Sequence, residues 1–195
     1  MRLLLVCQAN IVRSACAELL ARTMARGARS WEIESAGVRA LAGAPVDPVA
    51  ASVLSRRGID TAAHRARQAT AHVVRRADLV LTFEASQRAW LLDQHPHLVR
   101  STFTIRRAAA LLADRPRHGE PLGFLAHDSQ PYAAGDDFAD PYGQGVAATA
   151  RAVDEIASLL RPVLRGLGAL RDPGEEPRRR ERVSMTSTRM TGTRP

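Results

Sequence analysis

Leu3-Leu4-Leu5-Val6-Cys7-Gln8-Ala9-Asn10-Ile11-Val12-Arg13-Ser14 is the stretch that decides how this chain reads. Four consecutive apolar residues predict a strand buried on both faces. The polar run after Cys7 reads as a loop, and a helical pattern follows through Ala15, Ala17, Glu18, Leu19, Leu20 and Met24. A thiol thus stands at the end of a buried strand, ahead of a loop that opens a helix. The backbone N–H groups from Gln8 to Arg13 are placed to curl around a tetrahedral oxyanion. The start of the helix adds unpaired donors and partial positive charge. The Arg13 guanidinium offers a bidentate fork that lysine lacks. The same field favours the thiolate of Cys7. The plainer alternative is a buried strand-end thiol with no chemistry, since free cysteine is among the most buried residue types.

The rest of the chain alternates strands with helices. Ser14 to Gly27 reads as a helix closed by its glycine. Trp31 to Ser35 alternates as a second strand that ends at Ala36-Gly37. A helix starts at Asp47-Pro48, a cap followed by proline at the first position, and stops at Gly58. Ala77–Phe83 and Ser101–Ile105 read as the third and fourth strands, with helices over Glu84–Asp93 and Arg106–Ala113. Residues Asp114 to Asp140 are rich in Gly, Pro and Asp and read as a long loop. Val146 to Leu167 reads as a final amphipathic helix carrying Pro162. Strand–helix alternation predicts a parallel sheet covered on both faces, with ligands beyond the carboxyl ends of the strands, where Cys7 falls. Residues 1–170 are expected to form one domain, and 171–195 an Arg-rich disordered tail.

Composition narrows the class. The 195 residues include two cysteines, Cys7 and Cys16, too few for a disulfide framework or a cysteine metal site, and suited to a reducing cytoplasm. The opening apolar run is too short for a signal peptide or a membrane span. The net charge of +8 invites a nucleic-acid reading. However, the tail from Arg171 holds seven Arg against four acidic residues, and the remaining charge is dispersed without a basic-aromatic stripe. No nucleic-acid or membrane partner is expected.

Several motifs in one order resemble the low-molecular-weight protein tyrosine phosphatases. They are Cys7, Asn10, Arg13 and Ser14 in the first loop, Ser35-Ala36-Gly37, Pro45-Val46-Asp47-Pro48, Gly58-Ile59, His64-Arg65-Ala66-Arg67-Gln68, Asp78-Leu79-Val80-Leu81 and Asp140-Pro141-Tyr142. The resemblance implies an α/β fold of three α/β/α layers around a four-stranded parallel sheet, flavodoxin-like in topology. It implies a cytoplasmic enzyme without metal or cofactor, acting on phosphotyrosine in proteins. Cys7 is then the nucleophile, Arg13 the oxyanion clamp and Asp140 the acid and base. Gln8, Ala9, Asn10, Ile11, Val12 and Ser14 form the substrate-binding loop, with Leu41 and Tyr142 as walls of the cleft. The resemblance also implies that Ser35 and His64 support the loop in a hydrogen-bond network with Asn10 and Ser14, whose hydroxyl bonds the thiolate. Asn10 suits a left-handed conformation, and Arg65, Arg67, Arg75 and Arg76 read as solvated surface charge.

Some positions depart from the pattern. Val12 stands where many relatives have a second cysteine able to protect the nucleophile as a disulfide. Leu41 stands where phosphotyrosine enzymes often carry an aromatic wall. Ile11 favours tyrosine, because relatives acting on phosphoarginine have Thr there. Three alternatives stay open: an arginine phosphatase, a thiol-dependent arsenate reductase, which would need further cysteines, and a non-catalytic phosphate-binding module.

Overall fold

A computed structural model describes residues 1–28, 30–116 and 119–170. The tail expected from residue 171 lies outside the described residues. The first strand, β1, is Arg2–Cys7, followed by α1 at Arg13–Met24 and β2 at Glu32–Gly37. Next come α2 at Pro48–Ser55, α3 at Ala71–Arg75, β3 at Leu79–Thr82 and α4 at Ala85–Gln94. The chain continues through β4 at Thr102–Thr104, α5 at Ile105–Ala113, α6 at Pro121–Ala126 and α7 at Gly145–Gly166.

The four strands pair in parallel in the order β2-β1-β3-β4. The apolar run of β1 serves both faces because successive side chains alternate. Leu3, Leu5 and Cys7 join the larger core with residues of α1, α2, α5 and α7. Leu4 and Val6 join a smaller core with Val74 of α3 and Leu91 of α4. A strand clothed on both sides needs no polar alternation, and that produced its continuous signal. The Asp47 carboxylate caps α2 by accepting from the Val49 and Ala50 amides at 3.0 and 3.1 Å.

The segment from Asp114 to Asp140 departs from the expected loop. Pro121 opens α6, whose amide at Gly123 donates to Glu120 at 2.9 Å, and Leu125 plugs into the larger core. A short 3-10 turn follows at Ala134–Asp136. The Gly, Pro and Asp content that read as a loop also supplies a cap and a proline-first helix start. The segment is held to α5 by a two-pronged Arg107–Asp128 pair at 2.9 and 2.8 Å, and to α4 by Arg88 stacked 4.4 Å over the Tyr132 ring. Helix α3 was not expected from the sequence. No helix among the described residues is long and apolar enough to cross a membrane.

Candidate active site

The end of β1 delivers Cys7 to the carboxyl edge of the sheet, and residues 8–12 turn back over it before α1 begins. Asn10 makes that turn possible. Its φ of 59° is left-handed, a region asparagine tolerates better than most residues. The loop is also pressed against the end of β2. A Cβ at Gly37 would lie 2.6 Å from the Gln8 carbonyl oxygen, so only glycine permits this approach. Gly37→Ala must shift the loop backbone. It is expected to cost about 1–3 kcal/mol of stability and to lower kcat/KM about 100-fold through misplaced amides. Melting curves and kinetics check this, and activity like the wild type's would show that the loop has slack.

A buried hydrogen-bond chain fixes the orientation of the Ser14 hydroxyl. The Asn10 side-chain amide donates to Ser14 Oγ at 2.9 Å and to Ser35 Oγ at 2.8 Å. Its Oδ1 accepts from the Arg67 amide at 2.9 Å. Ser35 spends its own proton on Glu18. Ser14 Oγ therefore already accepts, and its proton is left for Cys7 Sγ, 2.9 Å away, or the Ala36 carbonyl at 3.3 Å. The sulfur is the nearer, and as a thiolate it is the stronger acceptor. His64 Nε2 donates to the Asn10 carbonyl at 2.9 Å and holds the strained turn from outside.

Glu18 anchors the far end of this chain, a role the sequence reading missed. Its side chain is buried on α1, with Arg22 at 2.8 Å and His64 Nδ1 at 3.7 Å. Burial pushes its carboxyl up, but hydrogen bonds from His64 and Ser35 and the Arg22 charge outweigh that and hold it below the ordinary glutamate range. A lowered folded-state value contributes stability above the unfolded value and loses it as pH falls through the folded one. Glu18→Gln is therefore expected to flatten the acid limb of the stability curve just below the ordinary glutamate range. Unchanged acid sensitivity in pH-dependent melting would remove Glu18 from that role. Arg67, expected as solvated charge, is a structural residue instead. Its Nε donates to the Ser35 carbonyl at 2.8 Å and its Nη2 pairs with Glu34 at 3.2 Å.

Arg13 is the other buried charge, with its side chain 2% exposed. One guanidinium nitrogen bonds both Glu84 and the Phe138 carbonyl, the latter at 3.1 Å, while the other donates to Asp140 at 2.7 Å. Glu84 was not foreseen either. Nothing in its sequence neighbourhood marks it apart from a surface carboxylate at a helix start.

Cys7, Gln8, Ala9, Ile11, Val12 and Arg13 line one cavity of about 200 Å³. Leu41, Asp140 and Tyr142 complete its walls, with Leu41 54% and Tyr142 61% exposed at the rim. Asn10 and Ser14, expected among the substrate-binding residues, do not line it. Both are fully buried behind the loop, in the chain shared with Ser35 and His64. Cys16 is also fully buried, and burial pushes its thiol up to about 12, so it is not an accessible partner for Cys7. Both cysteines are free.

A sequence model of the family described as low molecular weight phosphotyrosine protein phosphatase matches residues 2–108, over half of the chain. This chain belongs to that family. It is 36% identical over 122 residues to the probable low molecular weight protein-tyrosine-phosphatase EpsP of Ralstonia solanacearum, covering 63% of this chain and 82% of that one. In three dimensions it is similar to the low molecular weight protein tyrosine phosphatase of T. tengcongensis. That match has a TM-score of 0.69 and 29% identity, and covers 85% of this chain and 98% of the other. It is equally similar to the YwlE arginine phosphatase of Geobacillus stearothermophilus, with a TM-score of 0.69 and 26% identity over 86% and 92% of the two chains. The flavodoxin-like α/β architecture is therefore that of the family. Asp140 and Tyr142 lie beyond the stretch that the family model matches.

Proposed function

We propose that residues 1–170 form a cysteine-dependent phosphatase domain that hydrolyses phosphotyrosine in proteins. The observation that carries this reading is the meeting of Cys7, Arg13 and Asp140 on one small cavity whose rim is apolar. A binding module needs an oxyanion clamp but no carboxylic acid beside it, and it needs no thiol held by a hydroxyl at 2.9 Å.

The chemistry follows from the placement. In the free site Asp140 occupies one edge of the Arg13 guanidinium. An incoming phosphoryl group takes that edge and the loop amides, and frees Asp140 for the leaving oxygen. The Cys7 thiolate attacks phosphorus, so a P–S bond forms as the P–O bond to the phenol breaks. The Asp140 carboxylic acid gives its proton to the departing phenolate. Asp140, now a carboxylate, takes a proton from water as that water attacks phosphorus. The P–S bond breaks, inorganic phosphate leaves and Cys7 returns as the thiolate that Ser14 stabilises. Leu41 and Tyr142 flank the phenol ring. Ile11 adds an aliphatic side chain to the lining of the slot, which supports tyrosine over a charged guanidino group. The two free thiols fit the reducing cytoplasm.

Phosphate release from a phosphotyrosine peptide, in reductant, tests the reading against phosphoarginine and phosphoserine peptides. The phosphotyrosine peptide is expected to be hydrolysed fastest. Asp140→Asn is expected to lower kcat/KM about 100-fold for phenyl phosphate, a poor leaving group, and far less for 2,4-dinitrophenyl phosphate. Equal losses for both esters would remove Asp140 from the acid role. Preference for phosphoarginine would move the substrate class while leaving the Cys7 chemistry in place.

A further inference from the structure

Helix α4 starts beside the site with an unusual division of labour. A residue at the N-cap commonly turns its side chain back onto the first free amides of the helix. Glu84 holds that position and makes no such bond. Its carboxylate faces Arg13 and accepts from Ser86 Oγ at 3.0 Å and Gln87 Nε2 at 2.8 Å. The orphan amide of Ala85 is satisfied from far along the chain. Asp137 Oδ1 accepts from it at 2.6 Å across 52 positions.

Asp137 stands three residues before Asp140. Its neighbour Phe138 is fixed to the same turn. The Phe138 amide donates to the Phe83 carbonyl at 2.7 Å, and the two rings meet edge to face at 5.4 Å. The Phe138 carbonyl accepts from Arg13 at 3.1 Å. On the other side, Arg106 Nε donates to the Asp137 carbonyl at 3.1 Å and its guanidinium pairs with Glu155 of α7. The start of α4 thus holds Arg13 through Glu84 and the acid-bearing segment through Asp137.

We propose that Asp137 is a positioning residue that caps α4 from a distance and so sets Asp140 against the leaving oxygen. This rests on Asp140 being the proton donor. A carboxylate also suits the positive end of the helix dipole better than a neutral group. In Asp137→Ala the Ala85 amide loses its acceptor and the acid-bearing segment its tie to α4, while the Arg13–Glu84 pair and the Cys7 loop stay in place. Proton donation suffers, but the oxyanion clamp does not.

The experiment compares kcat/KM for phenyl phosphate and 2,4-dinitrophenyl phosphate, with vanadate inhibition as a measure of the clamp. Asp137→Ala is expected to lose about tenfold on the poor leaving group, little on the good one, and nothing in vanadate affinity. Asp137→Asn, which keeps an acceptor oxygen, is expected to recover most of the loss. In an Asp140→Asn background, Asp137→Ala is expected to add no further leaving-group dependence. Equal loss on both esters together with weaker vanadate inhibition would overturn the proposal, because Asp137 would then support the fold in general. No loss on either ester would overturn it as well. If Asp140→Asn alone shows no leaving-group dependence, the acid assignment fails first and this inference falls with it.

Discussion

Cys7→Ser is expected to abolish turnover, by about 10,000-fold or more, while the protein still binds oxyanions. The serine hydroxyl nearly fills the space of the thiol and disturbs neither the loop nor Arg13. It does not ionise near neutral pH, and as an alkoxide it would be a far poorer leaving group in the second step. Ser14 cannot substitute for it. It is fully buried, and its oxygen already accepts from Asn10 at 2.9 Å. Steady-state phosphate release together with calorimetric titration of inorganic phosphate reads both halves of this expectation. Loss of phosphate binding alongside turnover would mean that the thiol holds the loop in shape. Survival of turnover would take the chemistry away from Cys7.

Arg13→Lys is the second large effect, and it separates charge from geometry. Lysine keeps the positive charge but presents a single point donor. Arg13 makes three bonds in three directions, to Glu84, the Phe138 carbonyl and Asp140, and is almost wholly buried. One ammonium cannot span Glu84 and an equatorial oxygen pair together. The expected loss in kcat/KM is about 100- to 1,000-fold, the range for removing a preorganised donor to the transition state. Vanadate inhibition should weaken in step, and the melting temperature should fall because Glu84 loses its partner. A lysine variant within twofold of the wild type would show that net charge suffices.

How much of this was legible in the sequence depended on whether the signal was local. β1 was legible because a strand buried on both faces leaves an unbroken apolar run, here Leu3 to Val6. The loop from Cys7 to Ser14 was legible because its residue types are chemically distinctive at fixed spacing. The start of α2 was legible because Asp47-Pro48 is a cap and a first-turn proline in adjacent positions.

What escaped were partners joined only by folding. Glu18 lies within α1 and Glu84 at the start of α4, and nothing beside either in sequence marks its partner, yet one anchors the hydroxyl chain and the other grips Arg13. Arg67 was lost among several arginines. Its role depends on the side-chain oxygen of Asn10 and the carbonyl of Ser35, which no spacing rule brings together. Asp137 lay inside a stretch whose glycine and proline content argued for loop. Helix α6 hid there for the same reason, because six residues give too few turns for a periodic pattern. The network of Asn10, Ser14, Ser35 and His64 behind the loop was legible through the family resemblance, and the structure shows its bonds.

The most direct test of the central claim is the mass of the Asp140→Asn protein quenched during turnover of 2,4-dinitrophenyl phosphate, whose good leaving group lets the adduct form without the acid while its hydrolysis is slowed. The Cys7 thiophosphate predicts one added phosphoryl group that maps to the peptide containing Cys7 and disappears in Cys7→Ser. Turnover of that ester with no adduct at any time point, or with an adduct on another residue, would contradict it.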